Sequence, residues 1–523
     1  MEKLTENCIM TTSNTHRIAK NTVMLYMRTL FTMFVSFYTS RVVLRALGVI
    51  DCGVYNAVGS SVAMFSMLSG SLSSAISRFI TFELGKGNVQ KLKRVFSTAI
   101  TVQLILAVVV VLFAETVGLW FLNNKMVIPP DRLIAARWVF QFSAITFVIG
   151  LISVPYNATI IAHEKMSAFA YIGIFEALAR LGVSYAISVT HYDRLILYGL
   201  LLMVIAVTVR LIYGVYCKRK FEECTYKFVY DKGLLKEIAS FAGWNFIGAS
   251  SAVLRDQGGN IILNIFGGAA VNAARGFAIQ ISSAIQSFVQ NFMTALNPQI
   301  TKSYANGNHE YMMSLIFRGA RFSYYMLLLL SLPVIINVDY ILKLWLVDVP
   351  EHTPAFVQLV LIFALSESLA NPLVTAMLAT GRIRNYQLIV GGIQLLNLPV
   401  SYLLLRMGGT PEVVFVVAII ISVCCEMARL YMLRGMIGLS MRDFLSKVYF
   451  NVLLVTIAAG VVPLLMGSIL PHGFIGFLLS CVLCACCTGI AILLVGCNKC
   501  ERSMLLAKLQ SFRNKFMRHD TNS

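Results

Sequence analysis

Six arginines and no lysine lie inside apolar stretches long enough to cross a membrane, namely Arg28, Arg78, Arg180, Arg210, Arg255 and Arg275. A charged side chain in the hydrocarbon region costs several kcal/mol unless it faces a wet cavity or a partner. The guanidinium group is planar, always charged and able to bind two phosphate oxygens at once. The excess of arginine therefore indicates a cavity for an anionic ligand, and phosphate suits it well.

Three of these arginines are the best candidates for such a cavity. Arg28 and Arg255 lie well inside the first apolar stretch of each half of the chain, and Arg275 lies in the next stretch of the second half. Asp256 directly follows Arg255, so on a helix the two side chains should point ~100° apart and face different directions. The candidates for binding a coupling proton or sodium ion are acidic residues within apolar stretches, in the order Asp256, Glu367 and Glu426.

The other arginines also have structural explanations. Arg78 and Arg210 lie nearer the ends of their stretches, where a long side chain can reach the lipid headgroups. Arg180 lies four residues after Glu176 and can pair with it on a helix. We favour these structural roles, and we keep Arg78 as a fourth candidate for binding the anionic ligand.

The elements that must position these residues are membrane-spanning helices. Hydrophobic residues make up 58% of the 523 positions, charged residues only 13%, and the mean hydropathy is +0.76. Each apolar stretch has roughly 20 residues, enough to cross a hydrocarbon layer of ~30 Å, and backbone groups in lipid must pair internally. The predicted fold is an all-α polytopic membrane bundle of about 14 transmembrane helices. The predicted spans begin near residues 21, 53, 95, 138, 167, 194, 238, 271, 317, 355, 386, 413, 448 and 473.

The distribution of positive charge predicts the orientation of the bundle. Most of the 43 Lys and Arg residues fall in the short segments on one side of the predicted spans. Cytoplasmic loops of membrane proteins carry such an excess. We therefore expect both termini to be cytoplasmic, and we attribute the net charge of +19 to membrane topology rather than to binding of nucleic acid.

The two halves of the chain resemble each other. Residues Ala75, Ile80, Thr81, Gly87 and Asn88 match Ala295, Ile300, Thr301, Gly307 and Asn308 at a constant spacing of 220. Around the fourth and tenth spans, Pro155, Ala162 and Lys165 match Pro372, Ala379 and Arg382 at a spacing of 217. Because the repeat covers six spans, an even number, both copies should start on the same side of the membrane. Parallel repeats of this kind flank a central cavity in several transporter folds.

The repeat divides the chain into predicted domains. Residues 1–216 form an N-terminal six-helix lobe, 217–237 a cytoplasmic linker and 238–440 a C-terminal six-helix lobe. Residues 441–497 add a helix pair that has no counterpart in the repeat. Residues 498–523 form a basic amphipathic cytoplasmic tail, in which Leu505, Leu509, Phe512 and Phe516 recur at helical spacing. Such a helix suits the anionic inner leaflet.

Nothing in the sequence indicates a metal, another cofactor or an enzyme. Cys497 and Cys500 form one CxxC pair, but no second pair or histidine cluster accompanies it as a zinc site requires. No GxxxxGK nucleotide loop is present, and no predicted external segment is long enough to hold clustered catalytic carboxylates. We therefore expect neither cofactor binding nor catalysis.

Several residues carry a resemblance to a known family. Arg45, Leu47 and Gly48 are followed by Gly53 and Tyr55, and a span rich in small residues then runs from 60 to 74 and leads to Arg78. This pattern, with the segment 155–165 and its copy at 372–382, resembles the polysaccharide (O-antigen) flippases of the multidrug/oligosaccharidyl-lipid/polysaccharide (MOP) exporter superfamily.

The resemblance implies two MATE-like lobes around a cationic cavity in a bacterial inner membrane. It also implies a function, which is to move undecaprenyl-pyrophosphate-linked oligosaccharide to the periplasmic leaflet by alternating access, for lipopolysaccharide or other surface polysaccharide. The family's cavity arginines map best onto Arg28 and Arg255. The implied partners are the lipid-linked oligosaccharide, membrane lipids and a polysaccharide polymerase with other assembly proteins.

Two alternative functions remain open at this point. A multidrug cation antiporter of the same fold would use acidic cavity residues, whereas the first lobe offers only Glu176, beside Arg180. A membrane-embedded polysaccharide polymerase or glycosyltransferase would act on the same lipid-linked sugars. Such an enzyme usually has a long external loop or a soluble domain.

Overall fold

The computed structural model describes residues 2–63, 66–124, 128–190, 192–227, 231–346, 349–466, 473–498 and 501–503. Its helices are α1 Glu2–Ala63, α2 Ser66–Lys86, α3 Val89–Phe113, α4 Leu119–Asn124, α5 Leu133–Ala162, α6 Met166–Val189, α7 Arg194–Lys220, α8 Lys232–Ala305, α9 His309–Ile336, α10 Val338–Trp345, α11 Thr353–Thr380, α12 Arg384–Leu395, α13 Asn397–Arg406, α14 Val413–Ile437, α15 Met441–Phe444, α16 Phe450–Met466 and α17 Phe474–Ala491.

The two longest helices are each broken by one glycine. Gly48 in α1 has φ 80° and ψ 172°, and Gly268 in α8 has φ 72° and ψ −168°. A side chain is barely tolerated in this backbone region, so glycine lets the chain reverse direction there. The two breaks are 220 residues apart, which is the spacing of the sequence repeat. When α1 and α8 are divided at these glycines, each gives two rods, residues 2–47 and 49–63 in α1 and residues 232–267 and 269–305 in α8.

The described helices confirm the predicted multi-pass helical membrane bundle. Eleven helical stretches among the described residues are long and apolar enough to cross a membrane. The helical stretches 49–63, 66–86, 232–267 and 269–305 are not among these eleven, and they carry Arg78, Arg255, Asp256 and Arg275. Charged side chains such as these lower the hydropathy of a stretch and need water or a partner within the bundle.

The internal repeat is also visible in local geometry. Gly87 and Gly307 both have φ 71°. The residues that follow them, Asn88 and Asn308, each cap the next helix by accepting a hydrogen bond from a backbone N–H three residues on. Asparagine is among the preferred residues at this capping position. The matching asparagines of the repeat therefore have the same helix-capping role in both halves.

The contacts of the described helices group them into two lobes and an extra pair. In the N lobe (α1–α7), α1 packs against α6 and α5 packs against α7. In the C lobe (α8–α14), α11 packs against α8, α9 and α14. The lobes meet mainly where α2 packs against α8. Helices α16 and α17 pack on each other and on α9, so the extra pair adds to the outside of the C lobe.

The segment that joins the lobes is docked on the N lobe. Helix α7 ends at Lys220 and α8 begins at Lys232, and the structure describes residues 221–227 and 231 between them. Phe221 stacks on the ring of His163, with centroids 4.2 Å apart, and Glu223 lies 2.5 Å from His163 Nε2. Burial by itself raises the pKa of Glu223, but hydrogen bonds from His163 and from its own backbone amide bring the pKa below its ordinary value. The predicted amphipathic tail at 505–516 lies outside the described residues.

Candidate functional site

The two ends of the bundle differ in composition. One end, called the basic end here, carries Arg17, Lys86 and Lys218 beside the turns of the chain, and the other, the glycine end, carries the reversals at Gly48 and Gly268. Four of the seven predicted site residues meet in one cavity of about 480 Å³ within the C lobe. This C-lobe cavity lies between the two halves of α8, α11, and the starts of α13 and α14. Its charged lining residues are Arg255, Asp256, Arg275 and Glu367.

The charged groups of the C-lobe cavity are largely paired with each other. Arg255 Nε donates to Asp256 Oδ1 at 2.9 Å, and its guanidinium carbon lies 5.1 Å from the ring centre of Phe363. The prediction that Arg255 and Asp256 face different directions is wrong, because the long arginine side chain turns back toward its neighbour. Arg275 donates to the Asp256 carbonyl at 2.8 Å and to Asn260 Oδ1 at 3.2 Å. Neither guanidinium is left wholly free for an anion.

Asp256 shows that this part of the molecule is wet. Its side chain is 57% exposed, although it lies about a third of the way down the rod from Gly268. A carboxylate facing hydrocarbon at this depth would cost several kcal/mol. The exposed part of Asp256 therefore needs water, which the C-lobe cavity that it lines has room to hold.

A second pair of acidic groups extends from the wall of this cavity into the C lobe. Glu367 accepts a hydrogen bond from Ser422 Oγ at 2.7 Å. Glu426, one turn after Ser422 on α14, is fully buried, and neither of its carboxylate oxygens accepts a hydrogen bond of ordinary geometry. Arg429 is buried on the same helix, with its Nε and Nη1 unpaired. The structure thus places the predicted ion-coupling residues Glu367 and Glu426 together, with Asp256 on the cavity's exposed side.

Arg28 lies apart from this group, within the N lobe. Its guanidinium carbon lies 4.4 Å from the ring centre of Phe169, and its side chain packs directly on Gly173. At the spacing of 220, the C-lobe counterpart of Arg28 is Gly248, and there the amide of Gln387 fills the space instead. Arg28 and Arg255 therefore occupy corresponding helices but not corresponding positions.

Arg78 lies in a second cavity, which is formed between the lobes. This inter-lobe cavity has a volume of about 270 Å³, and its polar lining residues are Ser74, Ser77, Arg78, Thr81, Thr294, Asn297, Thr301 and Thr375. Arg78 Nη2 donates to the carbonyl of Ala379 in the C lobe at 3.1 Å. Its guanidinium carbon lies 4.6 Å from the ring centre of Phe82. The favoured interpretation of Arg78 as a headgroup contact is wrong, because the side chain is drawn inward by the other lobe.

The predicted contact is present for one of the two remaining arginines, Arg180, but not for the other, Arg210. Arg180 donates to Glu176 Oε1 from Nε at 3.1 Å and from Nη2 at 2.8 Å, as the spacing of four predicts. The prediction that Arg210 reaches the lipid headgroups is wrong. Its guanidinium carbon lies 3.8 Å from the ring centre of Tyr156, so a cation–π contact inside the N lobe holds it.

Sequence analysis missed Glu164, which joins the lobes at the basic end. Its side chain is 2% exposed and pairs with Arg17 of its own lobe at 3.0 Å. Across the interface it accepts hydrogen bonds from Gln299 at 2.6 Å and Lys302 at 2.8 Å. Glu164 also has φ 58°, which is rare for a side-chain residue. Its repeat counterpart, at a spacing of 217, is Gly381 with φ 76°, so the sequence signal was a glutamate where the other copy has glycine.

Close packing surrounds Glu164. A Cβ at Gly85 would lie 3.0 Å from both the Ala305 Cβ and the Lys302 Cα, and the rings of Phe82 and Tyr304 lie 6.2 Å apart. All these contacts join the N lobe to the C lobe near the basic end. The structure therefore shows the two lobes in close contact at the basic end.

The sequence matches the profile of a known family over more than half of its length. That profile is described as polysaccharide biosynthesis protein, and it matches residues 18–304. The chain belongs to this polysaccharide biosynthesis protein family. A comparison with curated proteins finds no match.

Solved structures similar to this family member are transporters. A MATE transporter in the bent conformation gives a TM-score of 0.70 at 12% identity, covering 80% of this chain and 96% of its own. An outward-facing multidrug resistance MATE family transporter of the MOP superfamily gives 0.68 at 13% identity, with the same coverage. A MOP superfamily transporter from Pyrococcus furiosus gives 0.67 at 12% identity, again with this coverage. These matches confirm the predicted MATE-like fold.

Glu164→Gln should loosen the closure at the basic end. The substitution keeps the side chain's size but removes the charge that pairs with Arg17 and Lys302, and losing one partner of a buried ion pair is strongly destabilising. We expect Ser77→Cys, a reporter in the inter-lobe cavity, to react severalfold faster with a membrane-impermeant maleimide. Glu222→Gln is the matched control, because Glu222 is 84% exposed and pairs only loosely with Lys93. Equal labelling rates in all three proteins would show that Glu164 does not hold the lobes together.

Proposed function

We propose that this chain is a flippase that moves a polyprenyl-pyrophosphate-linked oligosaccharide across the bacterial inner membrane by alternating access, with its basic end in the cytoplasm. Membership of the polysaccharide biosynthesis protein family and the MATE-like fold support a membrane exporter. The observation that carries the proposal is the inter-lobe cavity. Among its described lining residues, Arg78 is the only charged group, and hydroxyls and one amide surround it.

This lining suits a pyrophosphate. Phosphate oxygens accept hydrogen bonds, and a guanidinium can donate two parallel bonds to them. Serine and threonine hydroxyls supply further donors, and no carboxylate in the described lining repels the anion. Arg78 at present donates to the Ala379 carbonyl, a neutral acceptor that a phosphate can replace with a stronger, charge-assisted bond.

The transport step follows from the position of this cavity. When the lobes part at the basic end, the Glu164 ion pairs break and Arg78 becomes accessible from the cytoplasm. The pyrophosphate binds there while the polyprenyl tail stays in lipid. A ligand shifts such an equilibrium only by its differential affinity for the two states. Closure at the basic end and opening at the glycine end then release the head group on the other side of the membrane.

Proton coupling has a candidate site at Glu426 and Glu367. Glu426 is buried and neither of its carboxylate oxygens accepts a hydrogen bond of ordinary geometry, which penalises its charged form, so a proton on this pair would favour one packing of α11 against α14. Lobe movements that change access to Glu367 through the C-lobe cavity would then couple proton transfer to transport.

A second candidate function is a multidrug or cation antiporter. Asp256 and Glu367 in the C-lobe cavity favour it, because carboxylates attract cationic ligands. It differs from the flippase in needing the carboxylates rather than Arg78 for substrate binding. The membrane-embedded polymerase or glycosyltransferase has no specific observation in its favour.

Arg78→Ala should lower the flipping rate of undecaprenyl-pyrophosphate-linked oligosaccharide in proteoliposomes at least about 10-fold. A hydrogen bond to a charged group contributes about 1.5–3 kcal/mol, and the variant loses at least one. Arg78→Lys keeps the positive charge but loses the planar guanidinium, so its flipping rate should lie between those of the native protein and Arg78→Ala. The matched control is Arg137→Ala, because Arg137 is exposed and, within the described part of the chain, bonds only Asn123 on the surface. Native protein that leaves this lipid unflipped but exports cationic dyes, with Asp256→Asn inactive, would replace the flippase by the antiporter.

Glu426→Gln should remove the response of flipping to a proton gradient. The variant keeps the shape of the side chain and mimics its protonated form, so a pH difference across the vesicle can no longer drive a change at this site. Downhill equilibration of the lipid between leaflets should continue. Glu115→Gln, at an exposed glutamate, is the control. A gradient response that survives Glu426→Gln would place the coupling ion elsewhere.

A further inference from the structure

We propose that the C-lobe cavity binds sugar residues of the glycan, at a site distinct from the inter-lobe cavity that takes the pyrophosphate; this inference rests on the proposed function. The volume of about 480 Å³ lies within the usual range of ligand sites. Its lining combines two arginines and two carboxylates with amides and hydroxyls.

This mixture selects for a neutral polyol. A sugar hydroxyl both donates and accepts hydrogen bonds, so it needs acceptors and donors side by side. Asp256 and Glu367 supply acceptors, Arg255 and Arg275 supply donors, and amides such as Gln290 supply both. The two arginines offset the attraction of the carboxylates for a cation, and the two carboxylates offset the attraction of the arginines for a pyrophosphate, so an uncharged ligand suits the cavity better than either. Phe363 adds an apolar surface beside the polar groups.

Asn397 provides an independent sign that a ligand belongs here. It lines the cavity at the first residue of α13, is 2% exposed, and its Nδ2 has no hydrogen-bond partner. A buried amide donor without an acceptor is unfavourable, and such groups are rare in native structures. An oxygen of a bound sugar would satisfy it.

A polar stripe connects the two cavities. On the second half of α8, polar residues at helical spacing line the C-lobe cavity, namely Ser282, Gln286 and Gln290. The same helix face continues into the inter-lobe cavity with Thr294, Asn297 and Thr301. On α11, Asn371 lines the first cavity and Thr375, one turn on, lines the second. Thr375 Oγ1 donates to Asn297 Oδ1 at 2.8 Å, so the two stripes meet. A ligand with its pyrophosphate at Arg78 therefore has its sugars directed along α8 toward the glycine end.

The test uses two probes with the purified full-length protein. One is the free glycan released by mild acid from the lipid-linked oligosaccharide, and the other is geranylgeranyl pyrophosphate, which has no sugar. Binding is measured by titration calorimetry in detergent, and folding by thermal melting. Asn397→Leu should weaken glycan binding at least tenfold while leaving the melting temperature unchanged or higher, because it removes an unsatisfied buried donor.

Ser401→Ala is the matched control. Ser401 lies one turn further along α13, is also fully buried with an unpaired hydroxyl, and does not line the cavity. It should bind the free glycan like native protein, and Arg78→Ala should lose the pyrophosphate probe but keep the glycan. Gln290→Met is a second cavity variant, and it should weaken glycan binding if Asn397→Leu fails to fold.

The outcomes separate this inference from the proposed function. If native protein flips the lipid-linked oligosaccharide but Asn397→Leu and Gln290→Met bind the glycan like native, the sugar site is wrong and the flippase stands. The same conclusion follows if native protein flips the lipid but does not bind the free glycan. If the native protein binds the glycan in this cavity but flips no lipid-linked oligosaccharide, the flippase is wrong and the sugar site stands.

Discussion

The cost of leaving a charge in hydrocarbon organises this molecule. Each intramembrane arginine and carboxylate needs a partner, an aromatic face or water, and most of these groups find one inside the bundle. Arg78 finds its partner across the lobe interface, where α2 packs against α8. In the proposed transport cycle this interface is also the part that opens. Charge burial and transport are two aspects of the same arrangement.

The repeat supplies two similar lobes, and the differences between the copies supply function. Both lobes reverse the chain at a glycine and cap the same helix with asparagine. At the turn after α5, however, the N lobe has Glu164 where the C lobe has Gly381, and this glutamate holds the other lobe. The spacing of 220 aligns Arg28 with Gly248. In the N lobe the interior at this place is filled by Arg28 of α1, whereas in the C lobe it is filled by Gln387 of α12.

Much of the fold could be predicted from the sequence, and less of the site. The membrane-spanning helices and the repeat could be predicted because hydropathy, and turn and capping residues such as Gly87 and Asn88, determine structure within a few residues of their own position. Arg255, Arg275, Asp256 and Glu367 could be picked out as charges inside apolar stretches, but the sequence did not predict that all four line one cavity. The direction of Asp256, the inward position of Arg78 and the role of Glu164 were not accessible. Each depends on side chains brought together from distant parts of the chain, and for Arg78 and Glu164 these come from the other lobe.

The central claim is that the lobes must separate at the basic end for the lipid-linked oligosaccharide to cross. A disulfide between Gly85→Cys and Ala305→Cys tests it most directly, because a Cβ at Gly85 would lie 3.0 Å from that of Ala305, close to the ~3.5–4.5 Å between Cβ atoms in a disulfide. The measurement is flipping in proteoliposomes, with the native cysteines replaced, before and after reduction. The account predicts that the oxidised protein is inactive and that reduction restores flipping. If the oxidised protein flips the lipid as fast as the protein does after reduction, the account is contradicted.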